Sequence, residues 1–129
     1  VELVEELRGL GRPIAVASNS FHRLVDVALD GSALAGVFDV VVAADDVQNP
    51  KPAPDLFLEA CARLDVNAAT AVAIEDSPTG VASARAAGMY VIGIPSWEEV
   101  RLDEADLVAD SLGAPEVREI LRLPPTSGS

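Results

Sequence analysis

Short apolar runs alternate with stretches of helical spacing along nearly the whole chain. Val4 and Leu7, with Leu3 and Leu10 beside them, form one stripe over residues 1–10, while Glu2, Glu5, Glu6 and Arg8 fall outside it. Apolar positions recurring every three to four residues predict an amphipathic helix, and Gly9 and Gly11 are its stop signals. The run Pro13-Ile14-Ala15-Val16-Ala17 is continuous, short and bounded by Ser18-Asn19-Ser20, which suits a buried strand. Helical spacing returns through Phe21, Leu24, Val25 and Ala28 as far as Leu29. The cycle then repeats. A β-branched strand is predicted over Phe38 to Ala44, a helix over Asp55 to Leu64 and a strand over Ala71 to Ile74. Ser77 as cap, with Pro78 at the first helical position, predicts a helix to Ala87 that Gly88 stops. Strands over Tyr90 to Ile94 and Leu107 to Ala109, then a helix from Pro115 to Leu121, close the pattern.

Strands and helices in alternation predict an α/β domain with a parallel sheet. Right-handed crossovers bring every strand's carboxyl end to one edge, where open α/β sheets bind ligands. One core domain is expected over residues 1–123, with a disordered tail at 124–129. Because the chain begins at Val1 rather than Met, it is expected to be a processed or excised piece.

Composition narrows the partners. Nine basic residues against 21 acidic ones give a formal net charge of −12, which repels nucleic acid and anionic lipid but not divalent cations. The single Cys61 excludes an internal disulfide and a cysteine zinc cluster, and favours a reducing compartment. No apolar run approaches the roughly 20 residues that span a bilayer. A soluble, cytoplasmic protein is expected.

Three loops at the predicted sheet edge carry candidate chemistry. Ser18-Asn19-Ser20 place small polar groups before a helix, where free N–H groups and the dipole favour a phosphate; taken in isolation, capping of that helix is the favoured reading. In Asn49-Pro50-Lys51-Pro52-Ala53-Pro54-Asp55, a lysine stands between two prolines that stiffen its backbone. Such a cation suits a phosphate and nearby carboxylates, or it is a surface lysine with Asp55 capping the next helix. The third loop begins with Glu75-Asp76, adjacent carboxylates that repel each other unless a cation intervenes, and Mg²⁺ takes one or two carboxylates plus phosphate. Alternatively Asp76 and Ser77 cap the helix and Glu75 is solvated. Together the three loops supply phosphate positioning, a cation and a metal site, the parts of phosphoryl transfer.

These segments resemble known motifs. Ala17-Ser18-Asn19-Ser20, Lys51-Pro52-Ala53-Pro54-Asp55 and Ile74-Glu75-Asp76-Ser77-Pro78-Thr79-Gly80-Val81 resemble, in order, the second, third and fourth motifs of the haloacid dehalogenase superfamily. The continuation Ala82-Ser83-Ala84-Arg85-Ala86-Ala87-Gly88-Met89 looks like its β-phosphoglucomutase and sugar-phosphatase branch. The resemblance implies a three-layer α/β/α Rossmann-like core and a Mg²⁺-dependent hydrolase or mutase acting on a small phosphorylated metabolite. It also implies roles for single residues. Ser18 and Asn19 would bind the substrate phosphate, and Lys51 would bridge it to a nucleophilic carboxylate. Asp76 would ligate Mg²⁺ with Glu75 beside it, while Ser77 and Gly80 would shape the loop.

One part of the family pattern is missing. Its first motif, a strand ending in Asp-x-Asp that supplies the nucleophile, does not precede Ser18. Asp45-Asp46 and Asp103-Glu104-Ala105-Asp106 are wrong in position and context for it. The helical cap domain that selects the substrate is absent too. The missing strand lies at the centre of the family's sheet, between the Ser18 strand and the Glu75-Asp76 strand. Two apolar strands should therefore present unpaired edges, to be met by a complementing N-terminal segment or a strand-exchanged oligomer. This chain alone is expected to be inactive. The competing readings are a non-catalytic module for Mg²⁺ and phosphate or half of a split protein, and a phospho-acceptor receiver domain, whose acidic cluster would precede its hydroxyl and lysine rather than follow them.

Other polar and aromatic residues carry less. His22, the only histidine, is expected to be a bystander rather than an acid/base group. Cys61 should be core, and Trp97 should be packed or half-exposed rather than lining the site edge. Glu98, Glu99, Asp103, Glu104 and Asp106 should form a solvated face.

Overall fold

A computed structural model describes residues 2–31, 36–96 and 100–123. Trp97, Glu98, Glu99 and the tail at 124–129, each assigned a role from sequence, lie outside the described residues. The helix α1 (Glu2–Gly9) leads to β1 (Ala15–Ala17), α2 (His22–Asp30) and β2 (Val40–Val42). Then come α3 (Asp55–Leu64), β3 (Val72–Glu75), α4 (Pro78–Ala86), β4 (Tyr90–Gly93), β5 (Leu107–Val108) and α5 (Pro115–Ile120). Short 3₁₀ turns at Ala44–Asp46 and Ala68–Thr70 complete the order.

Every strand pair is parallel, as the alternation predicts. Side chains of β3 and β4 sort by parity into two helical layers. Val72, Tyr90 and Ile92 pack with Leu3 and Leu7 of α1 and Val117 and Leu121 at α5. Ala73 and Val91 pack with Phe57 of α3 and Val81 and Ala84 of α4. A sheet buried on both faces needs apolar side chains in both directions, which explains continuous rather than alternating hydrophobic strands. Arg118 ties the first layer together: it is buried, and one guanidinium nitrogen donates to both carboxylate oxygens of Glu6, at 3.0 and 2.7 Å.

Two helical stripes differ from expectation. Leu3 and Leu7 of the first helix are buried while Leu10 is exposed, because the helix ends at Gly9 and Leu10 leaves the stripe. In α2 only Val25 is fully buried, and Phe21, Leu24 and Ala28 face outward. Val25 and Leu29, four residues apart, set the inner face, so the other apolar positions fall on the far side.

The strands do not form one continuous sheet. β1 pairs with β2, and β3, β4 and β5 form a second sheet in that order, with no pairing between β1 and β3 among the described residues. The N–H of Ser18 donates to Val42 O and that of Asp39 to Ile14 O. By the alternation of a parallel ladder, the peptide groups of Ala15 and Ala17 therefore turn away from β2. On the other sheet Tyr90 N–H donates to Ala71 O and Ile94 N–H to Glu75 O, which turns Val72 and Ile74 away from β4. Ile74 is 38% exposed although it sits mid-strand in an apolar run. These two edges are the ones left open by the expected missing central strand.

Candidate functional site

The ends of β1 and β3 converge on one lysine. Lys51 Nζ donates to Ala17 O, the last carbonyl of β1, at 2.9 Å, and to Glu75 Oε2, on the last residue of β3, at 2.7 Å. Both side chains are about one-tenth exposed, at 11% and 10%. The ammonium also lies over the Phe57 ring, 4.9 Å from its centroid. Its third N–H has no acceptor among the described residues. Lys51 is the only lysine in the sequence, the other eight basic residues being arginines. A single ammonium thus joins the two sheets across the gap.

The loop carrying it is held at three further points. Asn19 Oδ1 accepts the Lys51 backbone N–H at 2.8 Å, tying the Ser18 loop to the lysine loop. Ser83 of α4, fully buried, donates from Oγ to Ala53 O at 2.6 Å. Asp55 Oδ2 accepts the backbone N–H and side-chain amide of Asn49, at 3.3 and 3.1 Å. Asp55 is therefore a brace across the proline loop and not a helix cap, since α3 has no side-chain cap.

Capping does not explain the Ser18 loop either. Phe21 is the N-cap of α2 and makes no capping bond, whereas Ser18 Oγ accepts the N–H of Ser20 at 3.1 Å. The Ser18 hydroxyl proton has no acceptor among the described residues. Asn19 and Lys51 are thus brought together, with Ser18 beside Asn19 on the same loop.

Glu75 and Asp76 diverge. Glu75 turns inward to Lys51, so it is paired rather than solvated, while the exposed Asp76 accepts a hydrogen bond from Ser96 Oγ at 2.9 Å. Lys51 is thus the cation beside Glu75, and it makes no bond to Asp76 among the described residues. Ser77 caps α4, its Oγ accepting the N–H of Gly80 at 3.1 Å. Gly80 itself lies against the Glu75 carboxylate: a Cβ there would sit 1.8 Å from Oε1 and 2.1 Å from Cδ. Glycine at this point makes room for Glu75 to reach Lys51. The donors at Glu75 and Asp76 are carboxylate oxygens, the hard ligands that Mg²⁺ takes, and the outer oxygen of Asp76 has no partner among the described residues.

A second group lies beyond the start of α2. His22, Asp45 and Asp46 place candidate ligand atoms within 4.8 Å of one another, but each is engaged within the protein. Asp45 Oδ1 accepts the His22 N–H at 3.0 Å, and Asp46 contacts His22 Nε2. Asp46 also accepts the Ala43 N–H at 2.9 Å, and the Arg63 guanidinium is 3.5 Å away. These bonds fit a tie between α2 and the turn after β2. His22 is engaged in this tie. The Ala43 N–H, then His22 and Arg63, hold the Asp46 carboxyl below its ordinary value of 3.8, against the effect of burial. A carboxyl lowered in the folded state stabilises the protein above its unfolded value, and this is lost as the pH falls through the folded one. The stability difference between wild type and Asp46→Asn, measured by denaturant unfolding, should therefore close as the pH is taken below 3.8.

Three contributors were missed from sequence: Phe57, Ser83 and Ser96. Asp106, expected on a solvated face, instead accepts the Val91 N–H at 2.8 Å and pairs with Arg85 at 3.1 Å. Cys61 is buried as expected, and burial pushes its thiol pKa up. No helix among the described residues is long and apolar enough to cross a membrane.

Comparison with known proteins gives this geometry a context. Residues 1–94 match the family model of haloacid dehalogenase-like hydrolases. Protein CbbY of Rhodobacter capsulatus is 39% identical over 129 residues, spanning 95% of this chain and 56% of that protein. The fructose-1-phosphate phosphatase YqaB of Escherichia coli is 39% identical over 94 residues, 73% of this chain and 50% of that protein. Among solved structures, a HAD family hydrolase of Deinococcus radiodurans with bound phosphate and sodium superposes with a TM-score of 0.85 at 28% identity. That match covers 97% of this chain and 60% of the other. The chain spans about half the length of these curated relatives.

Proposed function

Because the chain belongs to the haloacid dehalogenase-like hydrolase family, we propose that it forms the phosphate- and magnesium-binding part of a phosphoryl-transfer site. The reaction would be that of a phosphatase or phosphomutase on a small phosphorylated metabolite such as a sugar phosphate. The observation that carries this is the Lys51 ammonium, fixed between Ala17 O and Glu75 at the carboxyl ends of two facing strands with one N–H left to give. Ser18 and Asn19 lie on the same edge, and Ser18 has a hydroxyl proton to donate. A phosphate there would accept from Lys51 and Ser18 in charge-assisted bonds. Similarity to proteins named as phosphatases supports the same reading.

Asp76, with Glu75 beside it, would hold Mg²⁺, whose charge would offset that of the phosphate oxygens. Ser96 holds one Asp76 oxygen and leaves the other free for an ion.

The nucleophile is a carboxylate that this chain lacks, since no Asp-x-Asp occurs anywhere in the sequence. It would arrive at the end of a strand laid between β1 and β3, from a complementing N-terminal segment or a strand-exchanged partner. The peptide groups of Ala15, Val72 and Ile74, with the N–H of Ala17, suit a parallel strand, and Lys51, on the Ala17 carbonyl, stands at its carboxyl end. An aspartate oxygen would bond to phosphorus as the bond to the substrate oxygen breaks and that oxygen takes a proton. Water would then cleave the acyl phosphate, releasing inorganic phosphate and the carboxylate; in a mutase a second hydroxyl takes the phosphoryl group.

The test is hydrolysis of p-nitrophenyl phosphate with and without Mg²⁺, by the chain alone and by the chain fused to an apolar strand ending in Asp-x-Asp. The chain alone should not turn over, and the fusion should, in a metal-dependent manner lost in Lys51→Ala. Equal turnover by both would overturn the missing-nucleophile reading. A folded fusion that binds Mg²⁺ without turnover would favour a non-catalytic binding module.

A further inference from the structure

The seat of the Lys51 ammonium has three sides, and only two are polar. Ala17 O and Glu75 Oε2 accept two of its protons, and the Phe57 ring face closes the third side at 4.9 Å. Phe57 is itself held firmly. It is 7% exposed and packs among Ala73, Val81, Ala84 and Leu102, the layer that also anchors the lysine loop through Ser83 and Ala53. Leu56, its neighbour on α3, faces the other way into Val42 and Ala60, so the helix fixes the ring between the two sheets.

A lysine side chain has four rotatable bonds and a strongly hydrated head. Two hydrogen bonds alone leave it free to swing about the line joining their acceptors. An aromatic face attracts the cation through its quadrupole and excludes water from that side. The ring thereby limits the directions open to the remaining N–H.

We propose that Phe57 is a positioning residue for Lys51, its ring fixing the direction in which the ammonium presents its free N–H to a phosphate. The role in phosphate binding rests on the function proposed above; the contact of ring and ammonium does not.

Because Lys51 is the only lysine, selective ¹³C-lysine labelling reports on this one side chain without overlap. In the wild-type chain the ε-methylene signal should be displaced upfield by the ring, with cross-relaxation to the Phe57 protons. Phe57→Leu should return it towards the free-lysine position and weaken inorganic phosphate binding, roughly threefold to tenfold for loss of one cation–π contact. Phe57→Tyr keeps the ring and should restore both. An undisplaced wild-type signal, or one unmoved in a folded Phe57→Leu protein, would overturn the proposal. So would Phe57→Tyr behaving as Phe57→Leu does. If Phe57→Leu does not fold, the wild-type shift and the Phe57→Tyr variant still decide the matter. A displaced signal in a chain that binds no phosphate at Lys51 would uphold the ring's role and refute the functional reading instead.

Discussion

Lys51→Met is expected to cost about 3–5 kcal/mol of folding stability, the range for removing one partner of a buried ion pair. The cost comes less from the lost attraction than from the carboxylate left behind. Glu75 is about one-tenth exposed, and without the ammonium its carboxyl loses its partner in a place with little water. Glu75→Gln should be milder, because an amide can still accept from Lys51, which also retains Ala17 O. Combining the two substitutions should recover much of the loss. Because the amide still accepts from Lys51, the double-mutant cycle reports the charge-dependent part of the pair, and that coupling should lie above the roughly 0.2–1 kcal/mol of exposed ion pairs. Denaturant unfolding of the four proteins measures it. A coupling within the exposed range would mean that water fills the gap between β1 and β3 and reaches the pair.

Gly80→Ala should destabilise the protein by about 2–3 kcal/mol, against the usual sign for this exchange. Within a helix, alanine normally gains about 1 kcal/mol over glycine, and Gly80 lies inside α4. The new Cβ would fall 1.8 Å from Glu75 Oε1. That oxygen ends a flexible side chain, so the clash is relieved if Glu75 swings away, and this breaks its bond to Lys51. The penalty is therefore carried by the ion pair. In a Glu75→Ala background the obstruction is gone, and Gly80→Ala should become neutral or stabilising. Thermal or denaturant unfolding of the four combinations checks both signs. A stabilising Gly80→Ala in the wild-type background would show that Glu75 does not occupy this position.

Much of the fold was legible because its signals are local. Continuous apolar runs marked β1, β2, β3 and β4, and Ser77 with Pro78 marked the start of α4. The open edges of β1 and β3 also follow from sequence, once the absence of an Asp-x-Asp strand before Ser18 is set against the family pattern. Contacts between elements distant in sequence were not legible. Nothing local says that Lys51 will meet Glu75, which from sequence was either a metal ligand or a solvated group. Asp55 has the position of a cap yet braces Asn49, because Pro54 takes the N-cap place. Phe57, Ser83 and Ser96 read as ordinary helix or loop residues, and only the packing of α3 against α4 and of the β4 loop beside Asp76 brings them to the site. The outward face of α2 was misjudged for a related reason: its apolar positions fill more than one side, and periodicity alone does not choose between them.

The most direct test of the account is a titration of the chain with inorganic phosphate, with and without Mg²⁺, followed by amide and ¹³C-lysine NMR. The account predicts that the amides of Ser18, Asn19 and Ser20 and the single Lys51 signal move together, and that Mg²⁺ shifts Asp76 and strengthens binding. Shifts confined to other surfaces, such as the His22, Asp46 and Arg63 group, with the Lys51 signal unmoved, would contradict it.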